Sequence, residues 1–255
     1  MLVDQMGNRL DLPEPPKRII SLVPSQTEYL YALGLTDEVI AQTLFCIHPA
    51  QMHQAKPRVG GTKNLNLQKI RELKPDLIIG NKEENTKAQI EELSQEFPIY
   101  MSDINCLEDA IEMMQQIGVL VNRQLESKRI CDKIQANFQA LVRTETPKTC
   151  LYLIWREPWM AAGSNTFIGD MMAKIGLKNL VLERYPSITQ EWLTENQPDL
   201  IFLSSEPYPF KTKHIEELQS HCPHAKIQLV DGELFSWYGS RLIQSRAYFQ
   251  GLFKT

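Results

Sequence analysis

The sequence predicts an α/β fold of two lobes, each built on a central parallel sheet, joined by one long helix. Three observations predict it. Short apolar runs bounded by turn residues fall into two sets. Between the sets, no proline occurs from Pro98 to Pro147, and Gly118 is the only glycine. A helix-Pro-Asp-strand pattern occurs once in each set, at Pro75 and Pro198, an offset of 123 residues.

In the first set, Ile19-Ile20-Ser21-Leu22-Val23, Val39-Ile40-Ala41, Leu77-Ile78-Ile79 and Ile99-Tyr100-Met101 alternate with helical patterns. Short apolar runs in that setting read as strands buried on both faces of a parallel sheet. Leu107, Ile111, Met114, Ile117, Val121 and Leu125 then repeat at three- and four-residue spacing. Ile130, Ile134, Phe138 and Leu141 resume the stripe after a small skip. This reads as one amphipathic helix from about Cys106 to Val142. Asn105 is its N-cap and Glu108 the capping-box acid. At 1.5 Å per residue it would be about 50 Å long. A coiled coil, a membrane-surface helix and a strut between lobes compete for it. The stripe is too short for the first and the polar face too mixed for the second, so the strut is favoured. The second set is Leu151-Tyr152-Leu153-Ile154, Leu180-Val181-Leu182, Leu200-Ile201-Phe202-Leu203 and Ile227-Gln228-Leu229-Val230.

Leu67 to Ile79 reads like Ile188 to Phe202: a helix ends, Pro-Asp stops it, and a buried strand follows. The residue before proline disfavours helical geometry, which sets the boundary. The lobes thus look like a duplication. The organisation predicted is an N-terminal α/β lobe over residues 1–105, a connecting helix over 106–143 and a C-terminal α/β lobe over 144–255.

Composition narrows the classes. Of 255 residues, 43% are hydrophobic and 23% charged, which excludes disordered, collagenous and coiled-coil chains. A net charge of −4 argues against a general nucleic-acid binder. No apolar run approaches the roughly 20 residues of a membrane span. The five cysteines are scattered without a CxxC, so a disulfide framework is not expected, and a single bridge stays open. The first residues show no secretory leader. Either the protein is cytoplasmic or a leader has been removed.

Loops at the carboxyl ends of strands carry the candidate chemistry, because ligands of open α/β sheets collect there. Glu83 or Glu84 follows one repeated strand and Glu206 the other, and Glu83 and Glu206 each lie eight residues past the repeated proline. Equivalent acids on two lobes suit a two-point dock onto a basic partner; they equally suit solvated loop acids. The segment Asp231 to Arg241 clusters Phe235, Trp237 and Tyr238 in a glycine-bounded loop, and Trp155 and Trp159 form a second aromatic loop. Such rings can wall a large flat ligand or pack as lids over the core. A third loop, Pro24 to Glu28, starts a helix with Ser25 as cap and Glu28 as its capping-box partner. His221-Cys222-Pro223-His224 is the only metal-like cluster and lacks a second ligand pair. There is no GxGxxG, P-loop, HExxH, Cys-His signature or acid/base pair. No catalytic residue, resident metal or catalytic cofactor is expected, and the chain is read as a non-enzyme.

The segments Pro16 to Glu28, Lys56 to Thr62, Leu73 to Ile79 and Trp237 to Arg241 resemble the helical-backbone (class III) periplasmic substrate-binding proteins of ABC importers. The resemblance spans nearly the whole chain and is closest to the vitamin B12-binding branch. It implies two Rossmann-like lobes on a stiff backbone helix and a ligand held between them. It implies one docking glutamate per lobe, Glu83 or Glu84 and Glu206, paired with arginines of a permease dimer. It places ligand contacts at Ser25, Gln26, Trp155, Trp159, Trp237, Tyr238 and Arg241. The expected ligand is a corrinoid, cobalamin, with haem or a ferric siderophore as alternatives. The expected form is a periplasmic monomer that binds no nucleic acid. A cytoplasmic metallocentre or corrinoid-handling protein on the same scaffold is the rival reading.

Overall fold

The structure, a computed structural model, describes residues 1–142 and 147–252. The predicted boundary at 143/144 lies outside them. The chain forms two compact units. One comprises Met1–Ile104, Glu108–Gln135 and Tyr238–Ile243; the other comprises Asn105–Leu107, Ala136–Trp237 and Gln244–Thr255.

The first unit opens with a hairpin, β1 (Leu2–Val3) and β2 (Arg9–Leu10). There follow β3 (Ile19–Ser21), α1 (Pro24–Ala32), β4 (Val39–Gln42), α2 (Ala50–Ala55), α3 (Leu67–Leu73), β5 (Leu77–Asn81), α4 (Lys87–Ser94) and β6 (Ile99–Ser102). The sheet runs β4-β3-β5-β6 and every pairing is parallel. All four predicted runs are therefore strands. Ile19, Ile20, Leu77, Ile78 and Ile79 are fully buried, as both-face coverage requires.

The stretch read as one helix is two: α5 (Leu107–Leu120) and α6 (Gln124–Gln139). Asn122 takes the left-handed conformation, with φ of 53°. Arg123 N–H donates to Gly118 O (2.8 Å) and Asn122 N–H to Val119 O (3.2 Å). That is the Schellman pattern, in which the two amides beyond a helix satisfy its last carbonyls. The apolar stripe shifts accordingly. Leu125, assigned to it, is 70% exposed, while Ser127, Cys131, Ile134 and Phe138 are buried on α6. Tyr29 Oη donates to Met114 O (2.8 Å), and Met113, Met114 and Ile117 are fully buried, which ties α5 into the first unit's core.

The second unit contains β7 (Thr149–Trp155), β8 (Trp159–Ala161), α7 (Phe167–Lys174), β9 (Lys178–Asn179), β10 (Ser187–Ile188), α8 (Gln190–Asn196), β11 (Leu200–Ser204), α9 (Thr212–Gln219), β12 (Lys226–Val230) and α10 (Gly232–Ser236); α11 (Leu242–Gly251) begins in the first unit's share of the chain. Strands β7, β11 and β12 are parallel, β9 pairs parallel with the start of β7, and β8 and β10 add antiparallel strands at one side. The run Leu180-Val181-Leu182 is not a strand. Pairing ends at Asn179, whose Oδ1 accepts from Val181 N–H (3.0 Å) and turns the chain, leaving Leu182 75% exposed.

The internal repeat has a structural basis. α3 and α8 both end on a left-handed residue, Lys74 (φ 45°) and Gln197 (φ 38°), next to the proline. Each following aspartate then fastens the neighbouring strand. Asp76 accepts from the N–H groups of Lys17 (2.8 Å) and Arg18 (2.9 Å), and Asp199 from Thr149 N–H (2.7 Å). None of the five cysteines is in a disulfide. Among the described residues, no helix is long and apolar enough to cross a membrane.

Candidate functional site

In the first unit, the carboxyl ends of β3, β5 and β6 converge on a buried polar network. Asn81 Nδ2 donates to Ser102 Oγ (3.0 Å), and Gln26 Nε2 donates to the same oxygen (2.6 Å). Asn85 Oδ1 accepts from Asn81 N–H (2.9 Å) and its Nδ2 donates to Thr62 O (3.1 Å). Thr27 Oγ1 donates to Ser21 Oγ (2.7 Å) and lies 3.1 Å from the Cys46 thiol, which Thr43 also contacts at 3.1 Å. Burial pushes the Cys46 thiol up, away from the reactive thiolate. The network ties the loops after β3, β5 and β6 to one another.

The predicted contacts in this unit lie under that surface. Ser25 and Gln26 are buried in the first turn of α1. The capping box expected there does not form: Val23 is the N-cap, Pro24 opens the helix, and no side chain caps it. Glu28 points elsewhere. Its two carboxylate oxygens accept from Arg241 Nε and Nη2, both at 2.9 Å, a bidentate pair. Gly239 makes this docking possible. Its φ is 144°, and a Cβ there would stand 3.0 Å from Ser25 O. Tyr238 is buried beside it in sequence. Thus Gly239 and Arg241 fasten the Tyr238–Ile243 segment onto α1.

Glu83 and Glu84 begin two residues past the end of β5, and both are half-buried. Asn81 Oδ1 accepts from both backbone amides, at 2.8 and 3.2 Å, and Lys63 Nζ donates to Glu83 O. The strand's last side chain therefore shapes the loop that carries them.

The sequence reading passed over the loop after β4. Leu44, Phe45 and Ile47 are 52%, 59% and 45% exposed, side by side at a strand's carboxyl end. The buried Cys46 between them, and Gln42 Nε2 donating to Cys46 O (2.8 Å), hold the loop in this form. The signal was present as an apolar run continuing past a short strand.

In the second unit, β7 and β8 form a hairpin around Arg156, Glu157 and Pro158. Trp155 is 42% exposed and meets Tyr208 edge-on at 5.8 Å. Trp159 is half-buried, stacked on Phe210 at 5.9 Å, with the Arg156 guanidinium 5.0 Å from its ring centroid. Arg156 also donates to Glu217 (2.6 and 3.2 Å) and Glu157. His214 is buried among Trp159, Tyr208 and Phe210, and burial lowers its pKa.

Glu206 begins two residues past β11, the counterpart of Glu83. Its Oε1 accepts from Ser236 Oγ (2.7 Å) and from the Trp237 indole N–H (2.9 Å). Burial raises its pKa. Trp237 is buried. Of the seven predicted ligand contacts, Trp155 presents the largest open face. The described residues hold no group of three or more His, Cys, Asp or Glu side chains arranged for a metal ion.

The family profile described as periplasmic binding protein matches residues 19–227, and the chain belongs to that family, the substrate-binding proteins of ABC transporters. A vitamin B12-binding protein of Photorhabdus laumondii is 26% identical over 235 residues, covering 89% of this chain and 84% of that one. The periplasmic vitamin B12-binding protein BtuF of Vibrio cholerae has a similar fold, with a TM-score of 0.76 at 21% identity, covering 95% of this chain and 100% of that one. The periplasmic haem-binding protein HutB of Vibrio cholerae reaches 0.79 at 21% identity, covering 93% and 99%. These likenesses establish the fold of two α/β lobes with parallel sheets.

Proposed function

We propose that this protein captures a corrinoid, vitamin B12, and delivers it to the permease of an ABC importer, acting in the periplasm without catalysing a reaction. The observation that carries the reading is that each unit leaves apolar or aromatic side chains open at a strand carboxyl end: Leu44, Phe45 and Ile47 in one, Trp155 with Tyr208 in the other. Clustered exposed side chains of this kind suit a large apolar partner, and a corrin ring with its amide fringe is one. The 26% identity to a protein named for vitamin B12 binding supports the choice of ligand. Glu83 or Glu84 and Glu206 are the acids we assign to the permease.

Haem is the second reading, favoured by the equally close fold of a haem-binding protein. Calorimetric titration with cyanocobalamin and, separately, haemin decides between them. Saturable heat with cyanocobalamin at micromolar concentration or below is expected. Saturation by haemin alone would replace the corrinoid with haem. Replacing Leu44, Phe45 and Ile47 together by serine should weaken cyanocobalamin at least about 10-fold without lowering Tm, because exposed apolar groups add to binding and little to folding.

A further inference from the structure

A concavity lies on the first unit, on the outer side of β6. Strand β6 is the last of its sheet, with an unpaired edge. The β1-β2 hairpin is fastened along it by side chains. Asp4 Oδ2 accepts from Met101 N–H (2.9 Å) and Gln5 Oε1 from Asp103 N–H (3.1 Å). Between hairpin, edge strand and α4 remains a cavity of about 650 Å³. That falls within the range of about 300–1,000 Å³ common for small-molecule sites.

Its floor is apolar, formed by Leu10, Ile90, Phe97 and Met101. Lys87, Ile90, Glu91 and Ser94 line it from α4 at helical spacing, so one face of that helix is turned toward it. The charges on its rim do not balance. Lys82 is answered by Asp103 (2.6 Å) and Lys87 by Glu91 (3.5 Å). Arg9 is exposed and forms no ion pair among the described residues. One planar guanidinium above an apolar trough suits a single carboxylate carried on an apolar body.

We propose that this cavity is a second binding site, for an amphiphilic monocarboxylate such as a medium-chain fatty acid, with Arg9 holding the head group and the β6–α4 trough holding the chain. The site is independent of the corrinoid assignment and stands or falls separately from it.

The test is calorimetry on the full chain with decanoate, decan-1-ol and cyanocobalamin. Decanoate should saturate below about 1 mM. Arg9→Gln should weaken decanoate about 10- to 100-fold, the worth of a charge-assisted bidentate contact, and leave decan-1-ol unchanged. Ser94→Trp, on the α4 face that lines the cavity, should fill the trough and remove both. Cyanocobalamin titrations should be the same in all three proteins. Absence of decanoate heat, or equal decanoate affinity in the parent and either variant, would overturn the site. Displacement of decanoate by cyanocobalamin would also overturn it, because the two would then share one site.

Discussion

Glu206 shows how one side chain can be placed by sequence and still surprise in its surroundings. Its position past β11 matches Glu83, yet its carboxylate is turned onto Ser236 and Trp237. Burial raises its pKa, the two hydrogen bonds oppose that rise, and the charges of Glu233 and Asp231 add to it. The folded chain thus holds this proton more tightly than the unfolded chain. Its contribution to stability is complete below the unfolded carboxylate value of about 4.3 and is lost as pH rises through the raised folded value. Glu206→Gln keeps an acceptor for both donors and removes the charge. Its Tm relative to the parent should climb as pH rises above about 4.3. A difference that stays flat with pH would show that the carboxylate is not desolvated. The Glu28–Arg241 pair makes the opposite case, with side chains 18% and 12% exposed and both hydrogen bonds at 2.9 Å. A double-mutant cycle to alanine should give a coupling of about 1–3 kcal/mol, and a value near zero would remove Arg241 as the fastener of the C-terminal segment.

At the scale of the element, the break between α5 and α6 is the most informative difference from the expected fold. Periodicity made both halves legible as helix, and the skip before Ile130 was the trace of the break. What the pattern did not carry is that Asn122 closes α5 and that α6 then packs back against it. Gly118 permits the approach, since a Cβ there would stand 2.5 Å from the Ser127 Cβ. Ser127 Oγ donates to Met114 O (3.0 Å) across the same contact. Gly118→Ala should therefore cost about 1–3 kcal/mol by overpacking, despite alanine's higher helix propensity. Adding Ser127→Gly should recover part of the loss. Chemical denaturation reads both. A stabilised Gly118→Ala variant would mean that the two helices can move apart. The missed Leu180 run has a simpler cause. Apolar residues following a two-residue strand look like the strand itself until the Asn179 side chain turns the chain away.

For the whole molecule, the paired lobes were legible because they rest on buried periodicity and on two Pro-Asp stops whose aspartates fasten equivalent strands. The candidate site was less legible. Ser25, Gln26, Trp237 and Tyr238 have the residue types of a ligand wall, but all four are buried: Gln26 bonds Ser102, Gly239 lies close over Ser25 O, and the Trp237 indole turns onto Glu206. Burial of a loop side chain depends on which segment covers it, and local sequence does not encode that. The docking assignment separates along the same line. Glu83 and Glu84 have their backbone amides held by Asn81 and their side chains half-buried, so charge reversal there changes the surface without emptying a core position. On the proposed function, Glu83→Lys combined with Glu84→Lys should keep cyanocobalamin affinity within about 2-fold while reconstituted uptake falls at least about 10-fold, since like charges would then face the permease arginines. Unchanged uptake would remove these acids from the dock. Lost ligand binding would place them in the ligand site. Glu206→Lys cannot serve as the matching test, because a lysine would be buried against Ser236 and Trp237. Glu206→Gln is the informative change, and reduced uptake with intact ligand binding and an intact fold would assign its carboxylate to the permease.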